Sequence, residues 1–335
     1  MSKIFVSGVA GFLGSHVADA MLALGHEVVG IDNLVGGEVE NVSASVEWAQ
    51  LDCQALIHNR SLMRGVDVVY HCAALAYEGL SVFSPSTVVN SIVGASTAVF
   101  SAAIEAGVKR IVHCSSMARY GIGDPPFKEW QRPEPQDPYG IAKVAAEEIL
   151  RNLCRVHGVE HVIAVPHNII GPRQKYDDPF RNVASIMMNR MLQGKQPIIY
   201  GNGEQKRCFS FVGDCLQCLV KMGFQPGLDG EVINIGPDEG PITINSLAQR
   251  IADHTRFFSL DPVYMPGRPQ EVRIALCSSD KARRLLGYRT ETSLHDGLKA
   301  MVEAMVARGP RPFKYHLPIE INSPLTPRTW TDRIF

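Results

Sequence analysis

Lys3-Ile-Phe-Val-Ser7-Gly8-Val-Ala-Gly11-Phe12-Leu13-Gly14 runs from a short apolar segment straight into three glycines spaced GxxGxxG, and residues 13–24 continue with helical apolar spacing. Strand, tight turn and helix is the order these residues predict. Glycine there permits the turn and lets a pyrophosphate approach the backbone at a helix N-terminus, where free N–H groups favour negative charge. The next strand-like run, residues 26–31, leads to Asp32, a carboxylate suited to the hydroxyls of an adenosine ribose and repellent to a 2′-phosphate. The site predicted is one for NAD rather than NADP.

Further strand-like runs occupy residues 66–72, 110–115 and 161–166, and their nearly continuous apolar character suits strands buried on both faces. Helical spacing at 88–106 and 139–157 alternates with them, which implies right-handed crossovers and a parallel sheet. The fold class read is α/β, a Rossmann-type doubly wound sheet over residues 1–167, with segments near 209–235 returning to it. Residues 168–335 read as a smaller, mixed α/β substrate domain. It ends in a tail from Gly309 with five prolines and no periodicity, expected to be an irregular surface arm.

The 335 residues are 45% apolar and 20% charged, which excludes disordered and supercharged classes. Lys plus Arg (33) balances Asp plus Glu (34), so neither nucleic acid nor an anionic membrane is an expected partner. Eight scattered cysteines read as buried reduced thiols. Cys215 and Cys218 have metal-ligand spacing but no second pair, and no metal site is expected. With no targeting or spanning segment read, the expected location is cytoplasmic.

Tyr139 and Lys143 stand four residues apart, on one face if the segment is helical. A nearby ammonium stabilises a phenolate, and an oxidised nicotinamide would add to the shift, so this tyrosine is a candidate base. Taken alone, the pair reads equally as the start of a surface helix after Pro138. Two hydroxyls, Ser115 and Ser116, follow the strand at 110–115, at the sheet edge where open α/β folds bind ligands.

The residues Val6-Ser-Gly-Val-Ala-Gly-Phe-Leu-Gly-Ser-His16, His71-Cys72-Ala73-Ala74, Asn90, Ser115-Ser116 with Tyr120-Gly121, Tyr139 with Lys143, and His167-Asn168-Ile-Ile-Gly171-Pro172-Arg173 together resemble the extended short-chain dehydrogenase/reductases that act on nucleotide sugars. The resemblance covers nearly the whole chain. It implies Tyr139 as general base, Lys143 on the nicotinamide ribose, Ser116 on the reacting sugar hydroxyl, and Asn90 steadying the site. It implies NAD contacts from Gly8, Gly11, Phe12, Leu13, Gly14, Asp32, Asn33, Asp52, Cys53, Cys72, Ala73, Ala74, Asn90, Ser115, Tyr139, Lys143 and Pro166. Asp52 reads either as a partner of the adenine amino group or as a loop residue. For a UDP-sugar, the resemblance implies Ser116, Asn168, Asn182, Val183, Ile198, Tyr200, Arg207, Arg268 and Glu271, with Ala275 gating the pocket by its size.

Within that family, 4,6-dehydratases need an acid pair just after the catalytic hydroxyl, where this chain has Met117 and Ala118. Enzymes of the 3,5-epimerase type usually offer a cysteine near that point. What remains is a redox-neutral 4-epimerase acting through a 4-keto sugar. The alternatives are epimerisation of UDP-glucuronate or a UDP-N-acetylhexosamine, a 4,6-dehydratase, and a non-catalytic nucleotide-binding regulator. Cys208 stands where the family commonly has Asp, and Pro166-His167 where it has Arg or Tyr; His167 reads first as a packed histidine. Arg119, Lys175 and Arg181 are candidate partners for a sugar carboxylate, each with an ordinary surface reading beside it. In resembling enzymes the helices at 88–106 and 139–157 build a homodimer, although burial within one chain explains the same pattern.

Overall fold

One all-parallel sheet carries seven strands: β1 Lys3–Ser7, β2 Glu27–Asp32, β3 Glu47–Gln50, β4 Val68–His71, β5 Arg110–Cys114, β6 Glu160–Pro166 and β7 Val232–Ile235. Their order is β7-β6-β5-β4-β1-β2-β3 in the computed structural model, which describes residues Met1–Phe335. Every residue of β4, β5 and β7 is buried, as a sheet covered on both faces requires. This is the Rossmann-type arrangement that the alternating pattern predicts.

Helix α1, Phe12–Ala23, lies on one face with α5, Val212–Phe224, where Cys215 and Cys218 are buried against the sheet. Helices α2, Ala95–Glu105, and α3, Pro138–His157, cover the other. Pro138 opens α3, the Asp137 carboxylate accepts from the Gly140 N–H, and Gly158 ends it in a left-handed turn. The helix expected at 88–106 is present, running from Pro85 to Glu105 with an internal π turn. Pro85–Val89 is α-helical, Asn90–Gly94 is the π turn, and α2 completes the helix. A π turn inserts one extra residue, so the spacing before it falls out of step with the spacing after it.

Beyond Asn168, helices α4 Val183–Leu192, α6 Ile244–Thr255 and α7 Leu294–Arg308 share a separate core around Met187, Leu247, Ile251 and Met301. Short strands flank it. Ile198–Tyr200 pairs with Val263–Met265, and Lys206–Arg207 lies between Ile242–Thr243 and Ile274–Ala275. These place Tyr200 and Arg207 at the rim facing the sheet.

The tail from Gly309 is irregular but is not confined to the surface, which corrects the expectation of a surface arm. Thr326, Thr329 and Trp330 are buried. The Trp330 indole packs edge-on against Phe83 and Phe180, at 5.9 and 5.4 Å between ring centroids, and donates to the Pro179 carbonyl at 3.2 Å. An extended segment anchored one aromatic at a time leaves no periodic trace in sequence.

Candidate active site

A cleft of about 450 Å³ follows the C-terminal edge of the sheet, lined by Gly8 after β1, Asp32 of β2, Cys72 after β4, Ser115 after β5 and Pro166 of β6. Open α/β sheets bind ligands at this edge. Gly8 has φ +74, and a side chain on it would lie 2.9 Å from the Ala73 backbone. A Cβ on Gly14 would lie 2.0 Å from the Gly8 carbonyl oxygen. Gly11 and Gly14 therefore shape the turn from behind, while Phe12 and Leu13 line the cleft. No side chain caps the N-terminus of α1 and its first turn holds no acid, which leaves that end open to an anion.

Asp32 is buried, and its carboxylate accepts from the Ala10 and Leu34 N–H groups at 3.0 and 2.7 Å. Burial raises its pKa, and these backbone donors hold it down. Asn33 donates to Asp52 at 2.8 Å, and Asp52 also caps the turn at Cys53 by accepting from Gln54 N–H. Both line the cleft with Cys53, Ala73 and Ala74. The open helix end, the bare glycine turn and the strand-end carboxylate fit a dinucleotide. Asn90 does not join them. It is exposed in the π turn with its amide 3.4 Å from Ser86 Oγ, and Ser91 lines the cleft instead.

Ser116, Tyr139 and Lys143 share the cleft wall. Ser116 stands at the turn after β5, where its hydroxyl accepts from Ala118 N–H at 3.2 Å. Lys143 is buried one helical turn after Tyr139; its ammonium donates to the Cys114 carbonyl at 2.9 Å and lies 6.0 Å from the Tyr139 ring centre. Burial depresses the Lys143 pKa to about 8, against the pull of Cys114, Cys72 and Glu147. Burial also pushes the Tyr139 phenol up; the Ser116 hydroxyl opposes this, and the carboxylates of Glu78 and Asp137 add to it.

The far wall comes from the second half of the chain: Asn168, Asn182, Val183, Ile198, Tyr200, Arg207, Arg268 and Glu271 all line the cleft. Asn182 caps α4, accepting from Ala184 N–H at 2.9 Å. Arg207 and Arg268 approach the Glu271 carboxylate at 3.4 and 3.3 Å, and the Arg268 guanidinium lies over the Tyr200 ring at 4.7 Å. Ala275 is the exception. It is fully buried in the strand beside Arg207 and does not itself line the cleft, lying one strand pairing behind a residue that does.

Of the three candidate carboxylate partners, Arg119 is buried against Glu147 and Lys175 faces Asp177 and Glu38; neither lines the cleft. Arg181 lines it, on the cofactor side. His167 is fully buried, with both ring nitrogens unpartnered and its pKa lowered to about 3 by burial. The sequence reading missed Glu78, Asp137, Phe180, Trp330 and Phe335, all on the wall. Only Asp137 carries a readable signal, as an N-cap ahead of proline.

Fold and cleft define an α/β protein built to hold a dinucleotide beside a tyrosine–lysine pair. The model of the NAD dependent epimerase/dehydratase family matches residues 4–236, and the chain belongs to that family. A UDP-glucose 4-epimerase of Mycolicibacterium smegmatis is 30% identical over 312 residues, spanning 90% of this chain and 97% of its own. Among solved structures, the Thermotoga maritima UDP-glucose 4-epimerase with UDP-glucose aligns at TM-score 0.85 with 31% identity, over 91% of this chain and 99% of that one. The Bacillus cereus UDP-glucuronic acid 4-epimerase with UDP-glucuronic acid and NAD aligns at 0.84 with 27% identity, over 92% of this chain and 100% of that one.

Proposed function

We propose that the protein is an NAD-dependent UDP-sugar 4-epimerase with Tyr139 as its base. The observation that carries this is the convergence of Ser116, Tyr139 and Lys143 on one wall of a cleft whose opposite wall holds Arg207 and Arg268. The two arginines and the Asn182 helix start suit a diphosphate, which leaves the sugar beside Tyr139. Gly8, Asp32, Asp52 and the α1 N-terminus would hold the dinucleotide, which when bound would supply a reversible hydride acceptor for the sugar's fourth carbon. Tyr139 removes the proton of the 4-hydroxyl and returns one to the same oxygen after the keto sugar presents its other face. Ser116 holds that oxygen, and the fixed Lys143 charge favours the phenolate.

Met117 and Ala118 supply no acid for elimination, so support for a dehydratase is lacking, and a binding protein needs no such base. Incubation with UDP-glucose and with UDP-N-acetylglucosamine, without reductant, is expected to yield the 4-epimer of at least one by NMR; a keto-deoxy product, or binding of both without turnover, would remove the proposal. The reading includes a cytoplasmic homodimer. Eight free thiols suit a reducing compartment, and Ile141 of α3 is 54% exposed on one of the helices read as a dimer face. A monomer mass by light scattering would remove the dimer.

The sugar we propose carries no carboxylate: a hexose or N-acetylhexosamine. Glu78 opens onto the cleft within electrostatic reach of Tyr139 on one side and of Arg207 and Arg268 on the other, the interval the sugar has to occupy. The surrounding protein, then Asp137, pushes its carboxyl up to about 7, against the two arginines, although the side chain itself is exposed to the open cleft, where water screens these effects. The anion forms above that pH and repels a uronate. The KM for UDP-glucuronate relative to UDP-glucose is expected to rise as pH passes from 6 to 8. Glu78→Gln should flatten that profile; a slope that survives the substitution would clear Glu78 of the role.

A further inference from the structure

We propose that Arg181 is a cofactor-binding residue, a clamp that closes over the dinucleotide pyrophosphate from the far side of the cleft. The inference rests on reading the groove as a dinucleotide site and adds a residue that the glycine turn does not contain. A pyrophosphate brings two negative charges. From Gly8 to Leu34, the whole turn, helix and strand that would cradle it, there is no lysine or arginine. The α1 N-terminus contributes only a partial charge. A full cation reaching in from elsewhere in the cleft would complement that partial charge.

Arg181 stands just ahead of the Asn182 cap of α4, in the half of the chain that faces the sheet, and its side chain crosses to the loop after β2. There it rests on the Gly36 backbone so closely that a Cβ on Gly36 would lie 2.0 Å from Nη2. The guanidinium is held from behind. Its plane lies over the Tyr77 ring at 4.8 Å, and Nε approaches Asp178 Oδ2 at 3.4 Å. Asp178 is itself fixed by the Tyr77 hydroxyl at 2.6 Å and by the Phe180 N–H at 2.9 Å. Nε is thereby engaged, while Nη2 lies beside Gly36, which lines the same cleft.

The position along the groove agrees with the role. Arg181 acts electrostatically on Asp32, at the adenosine end, and on Tyr139, at the nicotinamide end, lowering the pKa of both. Arg181 lines the same cleft as both of them, the cleft the pyrophosphate has to cross between its two ends. A planar guanidinium offers paired donors that match phosphate oxygens. Because the next residue, Asn182, is read as a substrate contact, the clamp would tie cofactor retention to the half that holds the sugar nucleotide.

The test compares ADP-ribose with adenosine by calorimetry on the full chain and on Arg181→Gln, with NAD content after purification as a second reading. ADP-ribose contains the pyrophosphate and adenosine lacks it. Affinity for ADP-ribose is expected to fall about 10- to 100-fold, as for a lost charge-assisted hydrogen bond, with adenosine affinity unchanged and co-purified NAD reduced. Arg181→Lys should recover part of the loss, since it restores charge without the fork. ADP-ribose binding unchanged by Arg181→Gln overturns the clamp alone. A parallel loss of adenosine affinity overturns it too, making Arg181 a packing strut, whereas failure of the unmodified protein to bind ADP-ribose would overturn the dinucleotide reading beneath it.

Discussion

Replacing Tyr139 with phenylalanine is expected to lower turnover of a UDP-hexose by about 10³-fold, within the range for removing a positioned general base. The ring packs among Ala142, Ala146 and Phe180, so the substitution deletes one oxygen and leaves the apolar contacts in place. Melting temperature and bound NAD should therefore change little while turnover collapses. Without a cofactor cation, burial and the carboxylates of Glu78 and Asp137 hold the phenol above its ordinary value, and Ser116 only partly offsets them. Base action then depends on the positive charge brought by the oxidised ring and on Lys143, whose ammonium is pinned to the Cys114 carbonyl. Turnover that survives in Tyr139→Phe would transfer the base role to another group and dismantle the proposed chemistry.

Arg119→Met is expected to destabilise the protein by about 3–5 kcal/mol, the usual cost of leaving one member of a buried ion pair alone. The Arg119 and Glu147 side chains are 3% and 0% exposed, and they meet through two contacts, Nε to Oε1 at 3.0 Å and Nη2 to Oε2 at 2.9 Å. Arg119 Nη1 also donates to the Tyr120 hydroxyl at 3.2 Å, which donates to Asn234 of β7 at 2.7 Å. The chain of bonds joins the turn carrying Ser116 to α3, one helical turn beyond Lys143. In Arg119→Met the Glu147 charge keeps only Ser115 and the half-exposed Arg151. Adding Glu147→Leu removes the stranded charge and should recover much of the loss. Urea unfolding measures both; a single-variant cost below about 1 kcal/mol would mean that the pair contributes no more than a surface contact.

What could be read in advance followed physical periodicity. β1, α1 and Asp32 were legible because a buried strand, a glycine turn and a helical stripe leave regular marks, and α3 because Tyr139, Lys143 and a proline start coincide. Asn90 was misplaced because apolar spacing continues across a π turn without announcing it. Ala275 was misplaced because a two-residue strand has no pattern by which to judge its facing side. Arg181 was legible as a charge, but only the folded chain shows it turned toward Gly36 rather than toward the sugar. Glu78 lies in a short turn after β4 with no spacing partner, and its importance comes from Tyr139, Arg207 and Arg268, which lie distant in sequence.

Phe83 and Trp330 touch across about three quarters of the polypeptide's length. Contacts so far apart in sequence are slow to form, since a long loop must close before any gain is felt. The sheet and its glycine turn draw on nearer partners, so during folding a groove for the nucleotide would precede a finished chamber for the sugar. The same order in reverse makes release of the Trp330 anchor the easiest local opening. Hydrogen exchange should then find residues 326–331 opening well before the strands of the sheet.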